Sequence, residues 1–449
     1  LCFFSEKLND IDQERGQIPL RTIETRRIQN EALREAFSPL PSTRLHGSLA
    51  VTSGLKAMAG SMVASLAGER ETIQTVVEFV DPNEYDTART RLVEESRQRS
   101  SQNAIYLIGR TSPEIDDKVA EIYRCREIVQ RYRNDPDAEV KEYCAAQTDR
   151  ANKLNSELEH LLKRCLVQGS FIFRGQTTAV DSINHDVVEA AKKYLAEVAE
   201  QVFDRYGEAA VRADTTLAEK FLRAGNLKAV TSSIDPLGLV QVSGGTPHIK
   251  TDHKAIVSIR DYIDRHGTVE GKRMIDFFTD APFGWSQDTL RYLIAAMLVA
   301  GEIKLKVSGR EVTVNDQQAI DALRTNNSFK TVGVSLRDER PSNEVLAKAA
   351  QRLTDLVGDT VIPLEDEISK TATKQFPKYQ YQFGPLAEKL DALGLPGAEV
   401  VRSLNQELAD VLLTDASDAP QRLGSEESPL YDGLKWAIEV DRALKNSLE

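Results

Sequence analysis

The chain has 449 residues, of which 41% are hydrophobic and 28% charged, and a formal net charge of −12. It is too long for one ordinary core and has the composition of a folded soluble protein, so roughly two to four domains are expected. The acidic balance argues against a surface coated for nucleic acid, although a local basic patch stays open.

No apolar run approaches the roughly 20 residues that span a bilayer. The start, LCFFSEKLNDID, lacks a basic stretch before a long apolar core and is not a secretory signal, so a cytoplasmic protein without membrane partners is expected. Cys2, Cys125, Cys144 and Cys165 lie far apart without C-x-x-C spacing. Reduced thiols are the expectation, over a zinc site. The missing initial Met and the closing Leu448–Glu449 pair lead us to expect a segment of a larger protein.

Residues 1–66 read as an N-terminal helical segment. Thr22 to Phe37 is a charged amphipathic helix, stopped by the Pro-rich run Ser38 to Pro41. Gly47, Gly54 and Gly60 make 45–66 rich in small residues, which suits close packing. A phosphate loop is the alternative, but G-x-x-x-x-G-K-[ST] occurs nowhere in the chain.

Residues 67–245 read as an α/β domain. Thr72 to Val80 alternates as a strand does, and Asp81-Pro82 ends it. A hydrophobic strand followed by Asp looks superficially like a Walker B strand; without a phosphate loop, a simple strand end is the better reading. Asn83 is placed to cap a helix running to Gln102, and Ala104 to Gly109 is a short, buried strand. Ser112 to Asp116 starts a helix with the stripe Ile115, Val119, Ile122, Cys125, Val129 and Tyr132. After a break at 134–137, Val140, Cys144, Gln147, Ala151, Leu154, Leu158, Leu161 and Cys165 recur at four and three. The two helices make a hairpin over 113–166 with an arm of roughly 40 Å. It packs on its own domain or projects as a stalk toward a partner; Gln147 and Ala151 weaken the seam and favour packing. Gly169 to Arg174 is a third strand, Asp186 to Tyr206 an amphipathic helix, and 215–224 and 227–234 shorter helices.

Residues 250–316 carry the order of a winged-helix domain. Ile256, Ile259 and Ile263 mark one helix, and Lys272 to Thr279 a second. Pro282 and Gly284 break the chain, Ser286 stands where an N-cap belongs, and a third helix runs from Leu290 to Leu298 before Gly301. Ile303, Leu305 and Val307 alternate with lysines, Ser308 and Gly309 turn, and Val312 and Val314 return. Residues 317–449 read as a helical bundle. In it FPKYQYQFG separates a helix ending at Gln375 from one starting at Pro385, and Lys374 to Phe383, KQFPKYQYQF, sets aromatics beside cations; closing a gap between helices is the ordinary role of such a run, and stacking of single-stranded bases the alternative. The expected fold class is mainly α with a smaller α/β part.

No metal, hydrolase or kinase motif appears, His248 and His253 lack metal-helix spacing, and no residue is nominated as catalytic. A winged helix serves DNA or docks proteins, so the residues must decide. The third helix offers Gln287, Asp288, Arg291 and Tyr292, and Asp288 opposes a phosphate. Lys304, Lys306 and Arg310 on the wing, with Lys272 and Arg273 on the second helix, would hold a phosphate backbone with little sequence information.

Four runs carry a resemblance: TIQTVVEFVDP, NAIYLIGRTSPEIDDKVAEIYRCREIVQRY, KFLRAGNLKAVTSSIDPLGLVQ and PFGWSQDTLRYLIAAMLVAGEIKLKVSGREVTV. With them the chain resembles the P-loop ATPase family of BREX phage-defence systems (BrxC or PglY), over most of its length and most strongly at 72–314. The resemblance implies a cytosolic bacterial protein that helps block phage replication while host DNA is methylated, partners among the other BREX proteins, and an ATPase region using ATP and Mg. The family's P-loop is missing here, so none of its ATPase residues carries over and no cofactor is expected in this chain. The expectation is a non-catalytic C-terminal assembly region that scaffolds BREX components. DNA contact through the winged helix is the alternative, and a second copy of the chain a further candidate partner.

Overall fold

The computed structural model describes residues 6–224, 227–337, 340–414 and 416–447, so Cys2 and the Leu448–Glu449 pair lie outside the described residues. The chain divides into two compact units, 1–204 and 205–449. No described helix is long and apolar enough to cross a membrane. The architecture is mainly α with a smaller α/β part, as the patterning implied.

The first unit is built on a seven-stranded sheet. Its helices are α1 (Glu6–Gln17), α2 (Thr22–Ala36), α3 (Tyr85–Ser96), α4 (Pro113–Tyr132), α5 (Ala138–Val167) and α6 (Val187–Val202). Its strands are β1 (Ser42–Leu45), β2 (Leu49–Ala59), β3 (Met62–Ala67), β4 (Ile73–Val80), β5 (Ala104–Arg110), β6 (Ser170–Phe173) and β7 (Gln176–Ala179). The order is β1-β2-β4-β5-β6-β7, with β3 also on β2. β2, β4 and β5 run parallel, Leu55 beside Thr75 and Val77 beside Leu107. Apolar residues on both faces of β4 and β5 suit strands covered on both sides. Tyr85 and Leu92 of α3 join Val76, Tyr106 and Ile108 in one core cluster.

The hairpin α4–α5 is packed, not projecting. Ile115, Ile122, Cys125, Ile128, Leu158 and Leu162 are fully buried, each apolar one worth about 1.5–3 kcal/mol. α1 and α2 lie against it through Arg15–Glu121 at 2.9 Å, Arg126–Glu31 at 2.8 Å and Tyr143–Asp12 at 2.8 Å. Gln147, the weak point of the seam, accepts the Cys125 thiol at 3.2 Å. Cys125, Cys144 and Cys165 are free thiols.

Three expectations need correction here. Residues 42–67 are strands rather than helix, because small residues let β2 lie close to its neighbours: a Cβ on Gly54 would stand 2.3 Å from the Gly68 carbonyl oxygen. Asn83 does not cap α3; its own N–H donates to Asp81 at 2.8 Å, and the helix begins at Tyr85. Residues 205–245, expected within the α/β domain, belong to the second unit, where 227–229 make only a 3-10 turn.

That unit opens with α7 (Leu217–Arg223) and a hairpin of β8 (Val240–Ser243) and β9 (Thr246–Ile249) turned at Gly244–Gly245. There follow α8 (Lys254–His266), β10 (Val269–Glu270), α9 (Gly271–Phe278), α10 (Gln287–Val299), β11 (Ile303–Val307), β12 (Arg310–Val312), α11 (Gln317–Leu323), α12 (Asn326–Phe329) and β13 (Gly333–Leu336). Ser286 caps α10 by accepting from Thr289 N–H at 3.0 Å, as its position suggested. The wing sheet has the order β10-β13-β11-β12. A winged helix closed at 316 omits β13, which runs between β10 and the wing; four residues, GVSL, are too few to show a period.

The rest is a bundle of α13 (Asn343–Val357), α14 (Glu365–Phe383), α15 (Leu386–Ala392), α16 (Ala398–Leu413), α17 (Ala419–Gly424) and α18 (Pro429–Ser447). The expected break FPKYQYQFG is helix as far as Phe383. α14 runs through Pro377, because full burial of Phe376 and Phe383 outweighs the backbone bond that proline removes. Those two rings are therefore core, Tyr379 stacks on Phe383, and Tyr381 is left exposed.

Candidate nucleic-acid and docking interface

The second unit's chemistry gathers around α10. Phe278 stacks on Trp285 at 5.1 Å, Phe283 meets both, and the Arg205 guanidinium lies 4.5 Å from the Phe283 ring. This aromatic knot holds the turn between α9 and α10. α9 starts at Gly271, where a Cβ would stand 2.0 Å from the Phe329 carbonyl oxygen; glycine alone permits that approach.

Helix α10 is then enclosed. Every residue from Thr289 to Val299 is buried. Thr289 Oγ1 donates to the Val211 carbonyl at 2.9 Å and accepts from Ala213 N–H at 3.3 Å. Arg291 spreads its donors over Asn326 Oδ1 at 2.7 Å, the carbonyls of Leu323, Arg324 and Thr215 at 2.6, 2.8 and 2.9 Å, and Asp288 at 2.5 Å. Tyr292 donates to Asp235, which also accepts from Leu239 and Val240 N–H. Burial, and then the Asp235 carboxylate, pushes the Tyr292 phenol pKa upward.

Arg291 and Tyr292, expected on an exposed reading face, are thus interior. Arg291 joins α10 to the α11–α12 joint and to the segment before α7. Gln287 and Asp288 remain half-buried at the start of the helix, and Asp288 serves Arg291 and Asn326. The sequence did hold a signal, since Asp288 and Arg291 stand three apart on one helix. Asp235 and Asn326, distant in sequence, offered none.

The other nominated residues lie at the surface. Lys272 and Arg273 are exposed on α9, and Lys306 and Arg310 on the wing, whose turn has Ser308 and Gly309 at φ 50° and 84°. Lys304 is the exception: its Nζ pairs with Glu311 at 2.9 Å. Among the described residues no ion pair engages Lys272, Arg273, Lys306 or Arg310. Between the wing and the end of α8 is a cleft of about 360 Å³, lined by Asp264, Thr268, Lys304, Lys306 and Glu311, so its signs are mixed.

Toward the bundle the domain is fastened by charge. Arg337 binds Glu365 with both nitrogens at 2.5 and 2.7 Å, Glu302 takes Arg260 at 2.7 Å and Arg340 at 2.6 Å, and Asp366 accepts Asn315 N–H at 2.7 Å. Burial raises the Asp366 pKa against the opposing effect of Lys370. His253 caps α8, its Nδ1 accepting from Ala255 N–H at 3.3 Å, and burial followed by the Lys250 charge lowers its pKa. Among the described residues no group of three metal-ligating side chains converges.

These features define a winged-helix protein whose third helix is an internal strut. Residues 240–338 match the family described as the BREX ATP-binding protein BrxC winged helix-turn-helix domain, a span that includes β13. The match covers that domain alone, and within it bears out the resemblance to the BrxC family. No curated protein and no solved structure matches it.

Proposed function

We propose that this chain is a non-catalytic assembly region of a BREX ATPase, one that scaffolds other BREX proteins in the cytoplasm and leaves ATP and Mg to a region outside it. The burial of α10 carries the reading. A helix-turn-helix that spends its third helix on Thr215, Leu323 and Asn326 is organised to join segments, not to read bases. The absence of any phosphate loop supports the division of labour. Deleting this segment from the full-length protein in its host is expected to abolish co-purification of the other BREX proteins. Undiminished co-purification would overturn the reading, as would calorimetric ATP binding by the isolated chain.

A second reading is favoured by the exposed cations. Lys272, Arg273, Lys306 and Arg310, free of ion pairs among the described residues, suit contact with a DNA phosphate backbone. Gel shift with duplex DNA at low salt tests it, and no shift removes it.

A further inference from the structure

The register of the wing sheet aligns more cations than the wing alone holds. Val269, Val334, Leu305 and Val312 are side by side across its strands and form the buried row. One residue further on, Glu270, Gly333, Lys306 and Glu311 form the next row. Beyond that, Val307 pairs with Arg310, and Gly271 N–H donates to the Val332 carbonyl at 2.8 Å. The last link is Lys272 N–H on the Lys330 carbonyl at 3.1 Å.

All four strands therefore end at one border of the sheet. That border gathers Lys272 and Arg273 after β10, Lys330 before β13, Lys306 at the end of β11 and Arg310 at the start of β12. At about 4.8 Å between strands, it spans roughly 14 Å. Lys330 is half-exposed, and among the described residues its Nζ hydrogen-bonds only Asn327 Oδ1, at 3.4 Å. Of the two carboxylates in the row, Glu311 is taken by Lys304, and Glu270 is exposed.

We infer that this border is a phosphate track for one strand of duplex DNA, with Lys330 at its centre and Glu270 opposing it. The inference rests on the second reading above and extends it. If the cations at the four strand ends neutralise about four phosphates, the loss of affinity with salt should follow a slope near −4, at about 0.9 for each. Base identity should not matter, because α10, the helix that would enter the groove, is buried.

The test is fluorescence anisotropy of the whole chain with two 20-base-pair duplexes of unrelated sequence, from 50 to 200 mM salt. Equal affinity for both duplexes is expected. Lys330→Glu and Lys306→Glu should each weaken binding about tenfold and flatten the salt slope by at least about one. Glu270→Gln should tighten binding, a gain that mere loss of structure cannot produce, and Gln287→Ala should leave it unchanged. If the chain binds but Lys330→Glu behaves as wild type while Lys306→Glu or Arg310→Glu does not, the track falls and the wing contact stands. If the chain does not bind at 50 mM salt, both fall. A strong preference for one duplex would also overturn the track.

Discussion

Two parts of one domain use arginine and lysine in opposite ways. On α10, Arg291 is fully buried and meets five acceptors from three segments. On the wing, Arg310 is exposed and takes part in no described ion pair. As letters in the sequence the two were equal candidates for the same job. The difference lies in what surrounds each: a guanidinium among carbonyls is a joint, and the same group at a strand end is an open contact. Function here follows from the partners of a charge, not from its presence.

The comparison breaks first at Arg291. Arg291→Ala would take the arginine's donors from three carbonyls and Asn326 Oδ1 and leave Asp288 only the Asn326 amide, a class of change that costs about 3–5 kcal/mol. Chemical denaturation should show a marked fall in the stability of the second unit, and Arg291→Lys should recover little, since an ammonium cannot reach acceptors spread around a fork. Wild-type stability in Arg291→Ala would mean that α10 is not the strut. A smaller effect, about 1–3 kcal/mol, is expected of Gly271→Ala, whose added carbon must displace the Phe329 backbone. Thermal melting checks it, and an unchanged melt would show that α9 and α12 can move apart freely.

Much of the domain was legible from sequence for a physical reason. Strong periods and caps are local, and Ile256, Ile259, Ile263, Ser286 and the Lys304–Lys306 alternation announced their elements. β13 and the fate of Arg291 were not legible. The first is four residues whose strand character exists only between β10 and β11. The second depends on Thr215, Leu323 and Asn326, which reach α10 by tertiary folding alone. The same cause explains Pro377: local rules stop a helix there, and the buried Phe376 and Phe383 carry it through. The basic border was half legible, because Lys306 and Arg310 stood in one hairpin while Lys330 joined them only through the register.

His253 gives a finer test on the enclosed side. Its imidazole caps α8 as an acceptor, so the neutral form is the useful one, and the fold lowers its pKa. The folded state then binds fewer protons than the unfolded chain. The cap's contribution is complete above the ordinary histidine value, about 6.5, and is lost as pH falls through the lower folded value. The loss should be about 1 kcal/mol, that of an N-cap. His253→Asn keeps an acceptor without a titrating group, so its denaturation midpoint should fall less than that of wild type between neutral and mildly acidic pH. Equal slopes would show that the cap does not couple to folding.

The smallest stability effect belongs to the wing, and that smallness sharpens the contrast. Lys306 and Arg310 have no described ion pair to lose, so Lys306→Ala and Arg310→Ala should shift stability by no more than about 0.5 kcal/mol. Lys304→Glu differs, because it sets a new carboxylate against Glu311, its present partner at 2.9 Å. Like charges opposed across two strands destabilise by about 0.2–1 kcal/mol. Thermal melts of the three variants should therefore rank Lys304→Glu lowest, with the other two near wild type. If Lys306→Ala or Arg310→Ala instead melts as far below wild type as Arg291→Ala, then the wing too is a joint and the division between a buried strut and an open basic border is wrong. If both keep their stability, any contact they lose is a contact with something outside the chain.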